Sequence, residues 1–301
     1  MTGTETIGEL AALLTSLCFA VNAVILTKAG LQVGSVISNR TRVVFALAYL
    51  IVLNTVLFGQ PLPLSADPQR WMWLGFSGVV GLALGDAFLI QSYVMIGPRL
   101  GMLLLSLSTI FSVVEAWLLF KEKLGLTEVI GIAVTLAGTI WVILERGNGG
   151  EVATRPSVLG IVFGLLGAVG QGTGLVLSKQ GMLGSFSPIS GNVIRMLAAV
   201  VALWLVTLFQ RQAGRTVQIL RQNPSTFRLL ALVALIGPVT GVSLSLLAVQ
   251  YSPVGVASML TSLSPVFMLP IGHFVYGERL GWSAVAGTLL AMCGVALLFL
   301  S

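Results

Sequence analysis

The sequence predicts an all-α polytopic membrane protein with ten transmembrane helices arranged as two inverted five-helix repeats. Three observations lead there. Of 301 residues, 56% are hydrophobic and only 9% charged, against about 25% charge in an ordinary soluble domain. With a mean hydropathy of +1.00, such a chain buries its surface in lipid. The apolar residues fall into runs of roughly 20, the length that crosses a hydrocarbon core as helix. Finally, the second half repeats the first. Residues 105–111 (LSLSTIF) align with 261–267 (TSLSPVF), and 120–125 (FKEKLG) with 276–281 (YGERLG). The register runs without a gap from Gly81 and Gly85 over Gly237 and Gly241, through Gly131 and Gly138 over Gly287 and Gly294, to Leu144 over Leu300. Agreement at one constant shift marks an internal duplication. An odd number of spans per copy turns the second copy upside down in the bilayer.

Span 1 (7–28) follows Glu5, holds Glu9 near its start and lacks the basic flank of a signal peptide, so a retained helix is expected. Span 2 (36–58) carries Asn39 and Arg42 near its start, and span 3 (71–95) places the Gly81/Gly85 pair before Asp86 and Gln91. Span 4 (99–120) contains LSLSTIF and Glu115. Span 5 (126–145) follows Glu122 and Lys123, with Thr127 suited to cap its N-terminus. Residues 146–157, with their Gly, Pro and charge, read as the linker between a first unit, 1–145, and a second, 158–301. Span 6 (158–179) concentrates glycine at 160, 164, 167, 170, 172 and 174, which lets helices approach closely in lipid. Span 7 (189–210) repeats the Asn-x-x-Arg spacing as Asn192 and Arg195. An Arg-rich connection containing Pro224 leads to span 8 (227–250), where Gly237 and Gly241 recur. Span 9 (254–276) starts at Pro253 and encloses Pro265 and Pro270; each removes a backbone donor, so a kink is predicted. Span 10 (282–301) follows Glu278 and Arg279, with Ser283 as its expected N-cap.

Polar groups at membrane depth are where chemistry is expected, because they are costly there unless they face a cavity or a partner. Asp86 is well inside span 3 and could exchange a proton, hold a cationic group of a substrate, or pair with a buried arginine. Glu115 is the second candidate coupling group, with an ion pair to Lys121 as the alternative. Asn39 and Arg42 share a helix face, as do Asn192 and Arg195. The two arginines could grip a carboxylate or phosphate through the planar guanidinium fork, or reach for the headgroups. Asn22 and Gln171 are candidate orienting groups, and Gln91 accompanies Asp86. The expected substrate-binding set is therefore Asn22, Asn39, Arg42, Asp86, Gln91, Gln171, Asn192 and Arg195.

The net charge of +6 comes from lysines and arginines scattered singly, so nucleic acid is not an expected partner. His273 is the sole histidine, and Cys18 and Cys293 are each in apolar runs, so no metal site, disulfide framework or cofactor is expected. No phosphate-binding loop, HExxH or GxSxG appears, and no catalytic residues are assigned. The expected partners are a small-molecule substrate, membrane lipid and protons as coupling ion, with the chain acting as a monomer or weak dimer.

The paired SLS-T/P-x-F segments, the E-[KR]-L-G turns at 122–125 and 278–281 and the matching glycines after them resemble the two EamA domains of the drug/metabolite transporter superfamily. The resemblance covers nearly the whole chain. It implies a central cavity lined by spans 1–4 and 6–9, with spans 5 and 10 at the periphery. It also implies secondary transport by alternating access across the bacterial inner membrane, with export of an amino acid or related amphipathic metabolite as the leading reading. Exchange of phosphorylated or nucleotide-linked sugars is the alternative, and a non-transporting scaffold or intramembrane enzyme is the alternative of another class. The loop charges place both termini outside by the positive-inside rule, whereas the resemblance implies both inside.

Overall fold

Single glycines divide the apolar runs into helices. Gly34 (φ 90°) separates α1 (Gly3–Val33) from α2 (Ser35–Phe58). Gly97 (φ 83°), followed by Pro98 at a first helical position, does the same between the helix that ends at Ile96 and the one that begins at Pro98. The computed structural model describes residues 3–120, 126–146, 157–184, 186–251, 257, 260–276 and 281–297. After α2 come α3 (Pro68–Ser77), a π-helical segment π1 (Gly78–Gly85), α4 (Asp86–Ile96), α5 (Pro98–Ser106), α6 (Ser108–Phe120) and α7 (Leu126–Arg146). The second half comprises α8 (Val158–Gly181), α9 (Pro188–Phe209), α10 (Ala213–Gln222), α11 (Pro224–Ala234), π2 (Leu235–Gly241), α12 (Val242–Tyr251), α13 (Ser264–Tyr276) and α14 (Trp282–Leu297). No strand occurs among the described residues.

Six of the described helices are long and apolar enough to cross a bilayer: Thr6–Val33, Ser35–Phe58, Pro68–Ile96, Val158–Gly181, Pro188–Phe209 and Pro224–Tyr251. Shorter apolar helices cover Pro98–Ser112, Val129–Val142 and Val285–Leu297. The protein is thus an all-helical, multi-pass membrane protein.

The two halves interleave. α1 packs on α11, π2 and α12 of the second half, while α8 packs on α3, π1 and α4 of the first. α2 meets α9 and α7 meets α14, so each helix of these two pairs faces its own counterpart. The α7–α14 contact is glycine-mediated. A Cβ on Gly138 would lie 2.4 Å from the backbone of Ala291, and one on Gly294 would lie 2.3 Å from Thr135 N. Small residues therefore set the helix separation.

Three local expectations change. The connection after α9 is not all loop: α10 forms within it, placing Thr216, Ile219 and Leu220 on one face at helical spacing. Thr216 is buried, and the other two pack beside Leu26, Ile37 and Leu230 at the end of the bundle. Thr127 and Ser283 are second residues of α7 and α14 rather than caps, and Ser283 Oγ accepts from Trp141 Nε1 at 2.9 Å. Helix breaking in span 9 is shared with span 4, as shown below. The turn residues Glu122, Lys123, Glu278 and Arg279, as well as Lys121 and Pro253, lie outside the described residues.

Candidate functional site

The repeated serine motifs interrupt two helices at the same place. α5 and α6 are separated by Leu107, whose N–H returns to Leu104 O at 3.1 Å and whose carbonyl accepts from Ile110 and Phe111. Leu263, the residue aligned with Leu107, bonds back to Leu260 O at 3.3 Å and accepts from Val266 and Phe267. Nearby hydroxyls compete for backbone carbonyls: Ser106 donates to Leu103 O at 2.7 Å, and Ser264 to Thr261 O at 2.8 Å. Span 4 has no proline at its break, so Pro265 is not the common cause. It occupies the first turn of α13, where a missing donor is tolerated, and Pro270 remains inside that helix.

The two motifs face one another across a cavity with about 730 Å³ of empty space, its open side included. Ser106, Ser108, Thr109 and Ser112 line it from the first copy and Thr261, Ser262 and Ser264 from the second. The Thr109 and Ser262 hydroxyls are 2.6 Å apart. Gln171 and Arg195 also line this space, with Phe19 and Leu175 among its apolar walls. An adjoining cavity of about 420 Å³ shares Phe19, Leu82, Gln171 and Val242 with it and adds Asn22, Arg42 and Asp86.

Asp86 opens α4 where π1 ends. Its Oδ2 accepts from Arg42 in an ion pair, and its Oδ1 accepts from Gln171 Nε2 at 2.6 Å. Arg42 also donates to Asn39 Oδ1 through Nε and a terminal nitrogen, at 3.2 and 3.1 Å. Gln171 donates to Gly81 O as well, at 3.1 Å, so π1, α2 and α8 converge on this cluster. Arg42, Arg195 and Asp86 are 3%, 4% and 9% exposed. Both arginines are therefore buried in the protein rather than extended to headgroups.

The two asparagines share a task that their spacing did not reveal. Asn39 Nδ2 donates to Leu82 O (3.4 Å) and Ala83 O (3.3 Å) in π1. Asn192 Nδ2 donates to Pro238 O (2.8 Å) in π2 and to Ser243 Oγ (3.0 Å). Leu82 and Pro238 are aligned in the repeat. A π segment displaces the helical ladder and leaves carbonyls to be satisfied from outside; the amides do this. Asn39 and Asn192 thus support the cavity wall, and neither lines the cavities described.

Gln91 is also placed elsewhere than beside Asp86. It accepts from the Ser35 hydroxyl and ties α4 to the start of α2. Asn22 does line the smaller cavity, packed on Gly237, and its Oδ1 has no partner among the described residues. Glu115 accepts from the Thr173 hydroxyl, bridging α6 and α8, and lines neither cavity.

The family model of the EamA-like transporter family matches residues 6–144 and again 158–300. The chain belongs to the EamA-like transporter family. Within it, one similar protein is an uncharacterized transporter of Haemophilus influenzae, 30% identical over 109 residues. That match spans 36% of this chain and 36% of the relative. A protein solved by crystallography superposes with a TM-score of 0.65 over 96% of this chain and 95% of its own, at 18% identity, which bears on the fold alone.

For this family member, the sequence reading missed the hydroxyl-bearing residues of LSLSTIF and TSLSPVF as cavity lining. Their signal was available: a polar motif repeated in register within otherwise apolar spans. Arg40, also passed over, is buried and donates to Thr207 Oγ1 at 3.2 Å, joining α2 to α9.

Proposed function

We propose that this membrane transporter is a secondary carrier built from ten spans as two inverted five-helix repeats, with units 1–145 and 158–301. It moves a small organic metabolite, an amino acid or related amphipathic compound, in the export direction by alternating access across a bacterial inner membrane. The observation that carries this reading is the cavity between the two copies of one serine motif, with buried Arg195 and half-buried Gln171 in its wall. A site at the interface of duplicated units can be exposed to either side by rocking one unit against the other. The exchanged contacts of α1 and α8 support the duplication.

Asp86, with Glu115, is the proposed proton-coupling acid. Moving a proton onto Asp86 would release Arg42 from its ion pair, which gives protonation a structural consequence. In liposomes loaded with a labelled amino-acid panel, the purified protein should give saturable counterflow and accumulation under a pH gradient. Asp86→Asn should abolish gradient-driven accumulation while counterflow persists. If the parent protein produces no saturable flux of any panel member, the carrier reading fails.

A further inference from the structure

We infer that Arg195 receives the anionic group of the substrate and that this group is a carboxylate, so that the cargo is a small monocarboxylate. The inference rests on the carrier reading above and narrows its substrate class.

Three ionisable side chains that can carry charge stand at the adjoining cavities: Arg42, Asp86 and Arg195. Arg42 and Asp86 are joined in an ion pair. Arg195 is equally buried and feels the Asp86 carboxylate only at longer range; among the described residues its guanidinium makes no hydrogen bond or ion pair, and its Nε has no partner. The repeat supplies the reason. The residue aligned with Asp86 is Val242, which lines the same cavity as Arg195. The second half therefore carries the Asn-x-x-Arg pair without the acid. Its asparagine shows the same difference: Asn39 Oδ1 accepts twice from Arg42, whereas Asn192 Oδ1 has no partner.

A buried charge with no counter-charge in direct contact is costly until an anion arrives. With Asp86 in its ion pair with Arg42, the cavity set sums to one positive charge, which a carboxylate cancels. A phosphate monoester brings about 1.5 to 2 negative charges and would leave an excess. Glu115, the other acid at this depth, lines neither cavity and takes the Thr173 hydroxyl. One further feature suits a small polar cargo. The serine and threonine hydroxyls of the paired motifs can then meet the polar remainder of the molecule.

The test is equilibrium binding and thermal shift of the purified full chain. The panel holds the amino acids and simple aliphatic and aromatic monocarboxylates, each beside its amide and beside a phosphate monoester of similar size. Acids should bind and stabilise, and their amides and the phosphates should not. Arg195→Gln should weaken acid binding about 100-fold, and Arg195→Lys, which keeps charge but loses the fork, about tenfold. Because no hydrogen bond or ion pair is lost, the ligand-free Arg195→Gln protein should unfold at the parent's temperature or above; a purely structural arginine would lower it. Val242→Asp supplies the acid missing from the second half and should abolish carboxylate binding in a protein that still folds.

Amides or phosphates that bind as well as the acids, a panel with no bound monocarboxylate, or unchanged acid affinity in both Arg195→Gln and Val242→Asp would overturn the assignment. Saturable flux of a solute lacking a carboxylate would leave the carrier reading standing and remove this one. Carboxylate binding without flux would do the reverse.

Discussion

At the residue scale, Asp86 is the hinge of the electrostatics. One carboxylate links α4, α2 and α8 through Arg42 and Gln171. Removing one member of a buried pair leaves the other uncompensated, at a cost of about 3–5 kcal/mol. Asp86→Asn is accordingly expected to lower stability by about that amount, while Asp86→Asn combined with Arg42→Gln should recover much of the loss. A double-mutant cycle on thermal unfolding in detergent measures the coupling; additive single effects would show that the pair contributes nothing to stability. The stability loss and the loss of pH-driven accumulation are separate readouts of one substitution, and the double mutant separates them: it restores folding without restoring a titratable acid.

At the element scale, the π segments decide where the wall of the cavity lies. π1 is seated against α8 at almost no distance: a Cβ on Gly170 would come 2.7 Å from Gly85 Cα, and one on Gly174 would come 2.9 Å from Gly81 Cα. Backbone contacts this close cannot move aside as a flexible side chain would. Gly170→Leu and Gly174→Leu are each expected to cost about 1–3 kcal/mol or more by overpacking, read as a lower unfolding temperature. Gly214→Ala, in α10 with open space around its Cβ, should leave it unchanged or slightly higher. Equal effects at all three sites would show that close packing at π1 is not what the glycines provide. The amides of Asn39 and Asn192 complete the element, because the displaced ladder needs donors from α2 and α9.

At the scale of the whole molecule, interleaving makes the halves mutually dependent: α1 completes the second unit and α8 the first. If the repeats are inverted, the α2–α3 connection and the α9–α10 connection open on opposite faces of the membrane, five crossings apart. Single cysteines at Ser65 and Gly214, both exposed, report this directly in a background with Cys18 and Cys293 replaced by alanine. A membrane-impermeant maleimide applied to sealed vesicles should label one and spare the other. Labelling of both from the same side would mean that the copies are parallel, and the rocking mechanism proposed above would need another geometry.

The membrane class and the duplication were legible in the sequence because each is a local or periodic property: apolar runs and one constant shift. The motif LSLSTIF over TSLSPVF was legible as a repeat but not as a cavity wall, because nothing in a one-dimensional pattern states that two aligned segments touch. Partner choice was decided only by the tertiary structure. Asp86 could have faced substrate, lipid or arginine until α2 was packed beside α4, and Gln91, five residues on, turned to Ser35 instead. Asn39 and Asn192 looked like substrate ligands because spacing shows which face a side chain occupies, not which backbone lies opposite. The π segments escaped notice for the same reason: their carbonyls are satisfied by residues more than 40 positions away. What Val242 leaves undone beside Arg195 is visible only with both facts together, the alignment that pairs it with Asp86 and the fold that sets it in the wall of the same cavity.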